Sequence, residues 1–147
     1  MKSIYIDSSC LVSWVLRQEP RHTLLKKLTE NALVLTSALS HLECQAGIAA
    51  LSDDHRIIAE QHMNQLIAGF SLLPIHTEVL DAGRSLLRRY RKSHGLRSLD
   101  AIQVATAQLL KEDLAQEPES AHLLFLTCDQ RQFAAAAAEG IMAKLVA

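Results

Sequence analysis

Short apolar runs alternate with longer stretches that repeat their apolar positions at helical spacing. Residues 3–7, Ser3-Ile-Tyr-Ile-Asp7, read as a short buried strand ending in Asp-Ser-Ser, with Ser8 or Ser9 expected to cap a helix over about 9–17. Pro20 opens a second helix reaching about Glu30, with Leu24, Leu25 and Leu28 as its stripe. A strand follows over Ala32 to Thr36, then an Ala/Leu-rich helix over 38–51. Ser52-Asp53-Asp54 breaks the chain before a longer helix to about Ala68, which Gly69 closes. Phe70 to Ile75 is a short strand, and Pro74 places it at a sheet edge. Helices are expected from Thr77 to about Ser93 and, with Ser98 as its cap, to about Asp113, with a polar loop over 114–120. His122 to Cys128 is the strongest strand, Gln130 to Glu139 a helix ended by Gly140, and Ile141 to Val146 a final strand.

Strands separated by one or two helices predict the α/β class, with a central, mostly parallel sheet of 4–5 short strands and helices on both faces. The 147 residues, 49% of them hydrophobic, suit one folded domain spanning 1–147. The net charge of −1 means that nucleic-acid binding requires a local basic patch. No apolar run approaches the roughly 18 residues that span a bilayer, so no membrane contact is expected. The N-terminus reads straight into a strand without a secretory pattern, which makes the cytoplasm the expected location. Cys10, Cys44 and Cys128 lack metal-type spacing and are expected to be reduced, buried thiols, although each lies near an acid considered next.

Four acids stand where this layout presents them to a common crevice. Asp7 and Asp129 end strands, and ligands of an open α/β sheet bind beyond the carboxyl ends of its strands. Glu43 and Asp100 lie early in apolar helices. Taken singly, each has an ordinary reading. Asp7 and Asp129 can cap helices, Ser40-x-x-Glu43 fits a capping box, and Asp100 suits a helix dipole. Yet the helical neighbours of Glu43 are Leu39, Ala46, Gly47 and Ala50, which puts its carboxylate on the apolar stripe. The Asp100 helix, Ala101-Ile-Gln-Val-Ala-Thr-Ala, is apolar nearly all round, so its acid needs a partner. A shared cation is the economical one. An oxygen-only set suits Mg²⁺ or Mn²⁺, ions of phosphate chemistry.

Four ordered segments carry a resemblance. Tyr5-Ile-Asp7-Ser-Ser, Ser40-His-Leu-Glu43, Leu99-Asp100-Ala-Ile-Gln-Val-Ala-Thr-Ala and Leu126-Thr-Cys-Asp129-Gln-Arg-Gln-Phe133 span nearly the whole chain. Together they resemble PIN-domain ribonucleases, and more narrowly the toxins of VapBC-type toxin–antitoxin pairs. The resemblance implies a single PIN-like domain and a Mg²⁺- or Mn²⁺-dependent endoribonuclease. Asp7, Glu43, Asp100 and Asp129 would carry its metal-binding and catalytic acids. Ser8 or Ser9 would be its hydroxyl residue near the first acid, and Thr127 a supporting hydroxyl. It further implies an RNA substrate, a small cognate antitoxin and a homodimer. Some members of the family carry another acid after the last one, where this chain has Gln132 and Phe133.

Residues 84–97 hold six of the 15 Lys and Arg and immediately precede the Asp100 helix. Arg84, Arg88, Arg89, Arg91, Lys92 and Arg97 are therefore candidates for phosphate contacts, with Tyr90 able to stack a base. A solvated helix face is the plain alternative, and Arg97 is the best placed of the set. Two rival functions compete. One is a PIN-type domain that binds RNA or a partner without cutting, which the presence of all four acids disfavours. The other is a haloacid-dehalogenase-like phosphatase using Asp7 as nucleophile, which wants a second Asp where Ser9 stands.

Overall fold

The computed structural model describes residues 2–117 and 122–147. Its elements run β1 (Lys2–Ile6), α1 (Ser8–Val15), α2 (Arg21–Leu28), β2 (Ala32–Ser37), α3 (Ala38–Ala49), α4 (Asp53–Ala68) and β3 (Ser71–Leu73). They continue through α5 (Thr77–His94), α6 (Ser98–Leu114), β4 (Leu123–Thr127), α7 (Gln130–Ala138) and β5 (Ala143–Leu145). The five strands form one sheet in the order β3-β2-β1-β4-β5, and every pairing is parallel. The expected α/β layout therefore holds, as an all-parallel sheet with helices on both faces.

Side-chain alternation along the strands builds the two cores. Tyr5, Leu35, Leu123 and Phe125 point to the face covered by α5, α6 and α7, against Leu86, Val104 and Ala135. Ile4, Ile6, Val34 and Leu126 point to the other face, against Leu11 and Val15 of α1, Leu25 of α2, Ile48 of α3 and Met63 of α4. Tyr5 and Phe125 are register partners on β1 and β4, and their rings stack with centroids 5.6 Å apart. Each large side chain buried in this way contributes about 2 kcal/mol.

Chain direction reverses at β1. The connection through α1 and α2 lays β2 on one side of β1, whereas α5 and α6 carry the chain from the β3 edge back to the other side. The carboxyl ends of β1 and β4 thus flank a switch point, with α1 leaving toward one face and α7 toward the other.

Several element ends differ from expectation. β1 stops at Ile6, and Asp7 itself caps α1 by accepting the Cys10 N–H, so neither Ser8 nor Ser9 is the cap. Pro20 precedes α2, which begins at Arg21. Ser37, not Ser40, caps α3 through the Leu39 N–H, so the Ser40–Glu43 capping box does not form. α6 starts at Ser98, with Arg97 in the cap position. The two edge strands shrink to Ser71–Leu73 and Ala143–Leu145, as expected where each strand has one neighbour. Gly95 adopts φ +66° to close α5, the left-handed turn that glycine accepts without strain, and this aims the chain toward Arg97 and Asp100. The polar loop expected over 114–120 is described only as far as residue 117; residues 118–120 lie outside the described set.

Candidate active site

The chain folds its acids toward the switch point by capping geometry. Asp7 leaves β1 and its carboxylate Oδ1 receives the Cys10 N–H at 3.0 Å. Ser9 Oγ donates to both carboxylate oxygens, at 2.7 and 2.8 Å, and Thr127 Oγ1 donates to Oδ2 at 2.6 Å. Asp7 is fully buried, and among the described residues no cationic side chain donates to it. Burial pushes its carboxyl above the usual carboxylate range, against the opposing pull of the Thr127, Ser9 and Cys10 bonds. The same charge, with burial first, drives the Tyr5 phenol upward.

A relay of hydrogen bonds joins the two strand exits. The Asp129 N–H donates to Thr127 Oγ1 at 2.9 Å, and the Cys128 N–H donates to Ser9 Oγ at 2.9 Å. Asp129 caps α7, accepting the Arg131 N–H at 2.8 Å. Gln132, one turn into α7, reaches back with Nε2 to Asp100 Oδ1 at 3.1 Å. The other Asp100 oxygen accepts the Arg97 N–H at 3.0 Å. Ser8 Oγ donates to Glu43 Oε1 at 2.9 Å. The serine alternatives therefore divide: Ser9 serves Asp7 and Ser8 serves Glu43.

A polar cavity of about 380 Å³ opens over this network. Glu43, Asp100 and Asp129 line it with Ser8, Ser9 and Gln132. Asp7 is not in its wall but lies one hydrogen bond behind Ser9. The shared crevice holds for three acids directly and for the fourth through a hydroxyl. Among the described residues, no three acidic, histidine or cysteine side chains close on a single point as a ready-made metal cage. Glu43 is half-buried at the cavity rim. The stripe expected to enclose it is incomplete, because α3 buries Leu39, Ser40, Cys44 and Ile48 while Ala46 and Ala50 stay exposed.

The basic candidates separate. Arg97 lines the cavity, with its Nε 3.5 Å from Asp100 Oδ2. Arg131 stands likewise 3.5 Å from Asp129. On α5, Arg84 pairs with Asp81, Arg89 with Glu139, and Arg91 donates to the Leu96 carbonyl at 3.2 Å. Arg88 and Lys92 are exposed on the same helix, and none of these α5 residues lines the cavity. Tyr90 is half-buried, packs beside Arg89 and His94, and does not line the cavity.

Three contributors were given no site role by the sequence reading. Arg21 opens α2 and lines the cavity, though nothing in its local sequence singles it out. Gln132 is a buried link between acids, and among the described residues its Oε1 has no partner. Gln103 is fully buried and accepts the Tyr5 hydroxyl at 2.5 Å, while its amide N–H donates to Ser40 Oγ at 3.0 Å. A glutamine within Ala101-Ile-Gln-Val-Ala was the available signal for Gln103. The thiols also depart from expectation. Cys10 and Cys44 are buried, but Cys128 is only half-buried. Its thiol is brought down to about 7, chiefly by the hydrogen bond with Cys10, while burial pushes Cys10 up.

An all-parallel sheet whose β1 and β4 exits gather carboxylates at a switch point defines a recognisable class. Residues 4–139 match the PIN domain, and the chain belongs to that family. It is 31% identical over 116 residues to ribonuclease VapC46 of Mycobacterium tuberculosis, a match covering 79% of this chain and 82% of that protein, which makes it VapC-like. A chain of the FitAcB crystal structure from Neisseria gonorrhoeae shares the fold at 23% identity and a TM-score of 0.67, covering 95% of each chain. A chain of DNA-bound VapBC from Salmonella typhimurium does so at 14% identity and a TM-score of 0.69, covering 100% of each.

Proposed function

We propose that this protein is a metal-dependent endoribonuclease toxin held in check by a small cognate antitoxin. The observation that carries the reading is the convergence of Glu43, Asp100 and Asp129 on one polar cavity, with Asp7 tied to them through Ser9 and Thr127. The relative named a ribonuclease supports RNA as substrate. The donor set fits a hard divalent ion. It is made of carboxylate, hydroxyl and amide oxygens, and a buried carboxylate raised by burial is the group whose ionisation a cation favours. Mg²⁺ retains several waters and needs only one or two carboxylates, so an open cavity without a closed cage is compatible with it. Glu43, Asp100 and Asp129 would hold the ion from the cavity, with Asp7 acting on the site through the Ser9 hydroxyl. When bound, such an ion lowers the pKa of water and offsets charge on the phosphate.

The residues of the chain supply the rest. Asp100 has both oxygens engaged by N–H donors, which fixes its position and leaves it poor at taking a proton. Glu43 has only Oε1 engaged among the described residues, so its other oxygen is the better acceptor for the proton of the attacking water. Arg97 and Arg21 flank the cavity and suit the phosphate on either side of the cut. Gln132 stands where some relatives place a further acid. Its amide pins Asp100 and adds no charge, which supports one firmly held ion.

Between α1 and α4 a second cavity of about 300 Å³ is lined by the apolar Val15, Leu16, Leu51, Ile58 and Ala59, and by the polar Arg17, His55 and His62. It would accept an apolar helix face of the antitoxin, and the VapBC complexes among the structural neighbours are consistent with such a partner. Among the described residues no helix is long and apolar enough to cross a membrane.

The decisive experiment measures cleavage of a single-stranded RNA with and without divalent ion. Glu43→Gln and Asp100→Asn are expected to abolish cleavage that EDTA also abolishes, with circular dichroism unchanged. Cleavage that survives both substitutions would refute the assignment. Millimolar Mn²⁺ or Mg²⁺ is expected to raise the melting temperature of the parent and not of Asp100→Asn, since a ligand stabilises the state that binds it. A third measurement concerns RNA affinity against salt. Arg97→Ala and Arg21→Ala should each reduce the slope by about one ion, whereas Arg89→Ala, whose guanidinium is held by Glu139, should leave it alone.

A further inference from the structure

Cys10 and Cys128 lie 118 positions apart in sequence, yet their sulfurs are 3.7 Å apart. A disulfide holds its sulfurs at about 2.05 Å, so bond formation requires an approach of about 1.7 Å shared between two side chains. Cys10 sits in the first turn of α1 and Cys128 between the end of β4 and the cap of α7. Cys128 is half-buried and open to a small oxidant, while Cys10 is wholly enclosed behind it. Cys44 is buried on α3 and has no thiol neighbour among the described residues.

The pair is wired to the acids by backbone. The Cys10 N–H holds Asp7, and the Cys128 N–H holds the Ser9 hydroxyl that itself donates to Asp7. The next residue after Cys128 is Asp129, which caps α7. Drawing the two sulfurs together therefore pulls on both sides of the Asp7 cradle.

We propose that Cys10 and Cys128 are a reversible oxidation site, which a peroxide converts to an intramolecular disulfide that distorts the acidic cavity and lowers its activity. The Cys128 thiolate attacks one oxygen of hydrogen peroxide. The O–O bond breaks, hydroxide leaves and takes up a proton as water, and Cys128 becomes a sulfenic acid. The Cys10 sulfur then attacks the Cys128 sulfur, its thiol proton goes to the departing hydroxide, and a second water leaves. Two thiols are oxidised by two electrons in all, and one peroxide is reduced to two waters. A thiol reductant reverses the bond by exchange. In a reducing compartment such a bond is transient, which suits a sensor and not a structural staple. The effect on cleavage rests on the nuclease reading; formation of the bond does not.

The test treats the purified protein with hydrogen peroxide. Free thiols are expected to fall from three to one, and a non-reducing peptide map should link Cys10 to Cys128, lighter by two hydrogens. Dithiothreitol should restore all three. Linkage through Cys44, cross-linked dimers alone, or three surviving thiols would each overturn the proposal. RNA cleavage should fall about tenfold or more on oxidation, since small misplacements of reacting groups cost that much, and should recover on reduction. In Cys10→Ser and Cys128→Ser, each compared with its own untreated state, the ratio should stay near one. A bond that forms without changing the parent's ratio would overturn the coupling to the cavity. If the reduced protein cuts no RNA, the nuclease reading falls by itself and coupling is read from amide exchange over residues 7–10 and 127–132. Unchanged exchange there would also overturn it.

Discussion

Asp7→Asn is expected to melt at a higher temperature than the parent at pH 8 without metal, while cleaving RNA about 100-fold more slowly or worse. Both effects come from one buried carboxylate. Asp7 is fully enclosed, accepts from Ser9, Cys10 and Thr127, and is raised above the ordinary carboxylate value by burial. A carboxyl raised on folding binds its proton more tightly in the folded chain. Its contribution is therefore fully present below the unfolded value of about 3.9 and is lost as pH rises through the folded value. Above the unfolded value the folded protein therefore carries the cost of a buried carboxyl that is harder to ionise than in the unfolded chain. Asparagine has nearly the same shape and no charge to bury, and it can still accept from Cys10. A gain of about 1 kcal/mol would raise the melting point by about 2–4 °C in a chain of this size. The gap should shrink toward pH 4, where the parent is protonated too. Divalent ion should reverse the order, stabilising the parent and not the variant. Melting curves at pH 4, 6 and 8, with EDTA or Mn²⁺, check all of this. An Asn variant that melts lower at every pH would mean that the carboxylate's bonds outweigh its burial.

Gln103→Leu should be among the most damaging single changes that leave the acids untouched. The Gln103 side chain joins β1 to α3, taking the Tyr5 hydroxyl and holding Ser40, and all three groups are out of solvent. Leucine fills a similar volume but strands two hydroxyls in the core. The expected cost is about 3 kcal/mol, or a fall of about 10 °C in melting temperature. Tyr5→Phe in the same background should recover part of the loss, because removing both partners relieves the unsatisfied group. Asp100 stands one turn earlier on the same helix, so cleavage should weaken as well. A loss below about 1 kcal/mol would show that water replaces the amide and that the link is not structural.

Much of this architecture was written in local pattern. The strands at Tyr5, Leu35 and Phe125 are short, apolar and flanked by turn formers, and that shortness separates them from the longer periodic helices. Asp7 and Asp129 are legible because the carboxyl end of a strand is where an open α/β sheet presents its ligand-binding groups, although both also cap the helix that follows. Asp100 is legible because its helix has no wet face: Asp100 through Thr106 is buried apart from Ile102. What pattern does not carry is direction across the fold. Ser8 and Ser9 are adjacent and chemically alike, and only the placement of α3 against α1 decides that one meets Glu43 and the other Asp7. The basic run on α5 looked like one surface in sequence, but Glu139 and the Leu96 carbonyl engage two of its arginines. Arg21 reaches the cavity from a helix that its own neighbours describe as ordinary. Glu43 was expected inside an apolar stripe, and the rim position follows from which turns of α3 meet α1 and α4.

The crossing of the chain from the β3 edge to the far side of β1 has a consequence for biosynthesis. The Thr127 hydroxyl that braces Asp7 comes from 120 positions downstream, and Asp129 and Gln132 follow it. A nascent polypeptide that has emerged only through α6 holds three of the four acids but lacks the bracing threonine and the final carboxylate. Docking of β4 comes late and closes a long loop, which is intrinsically slow. On the proposed activity, a ribosome making this enzyme would be shielded from it until the last fifth of the chain has been threaded into place.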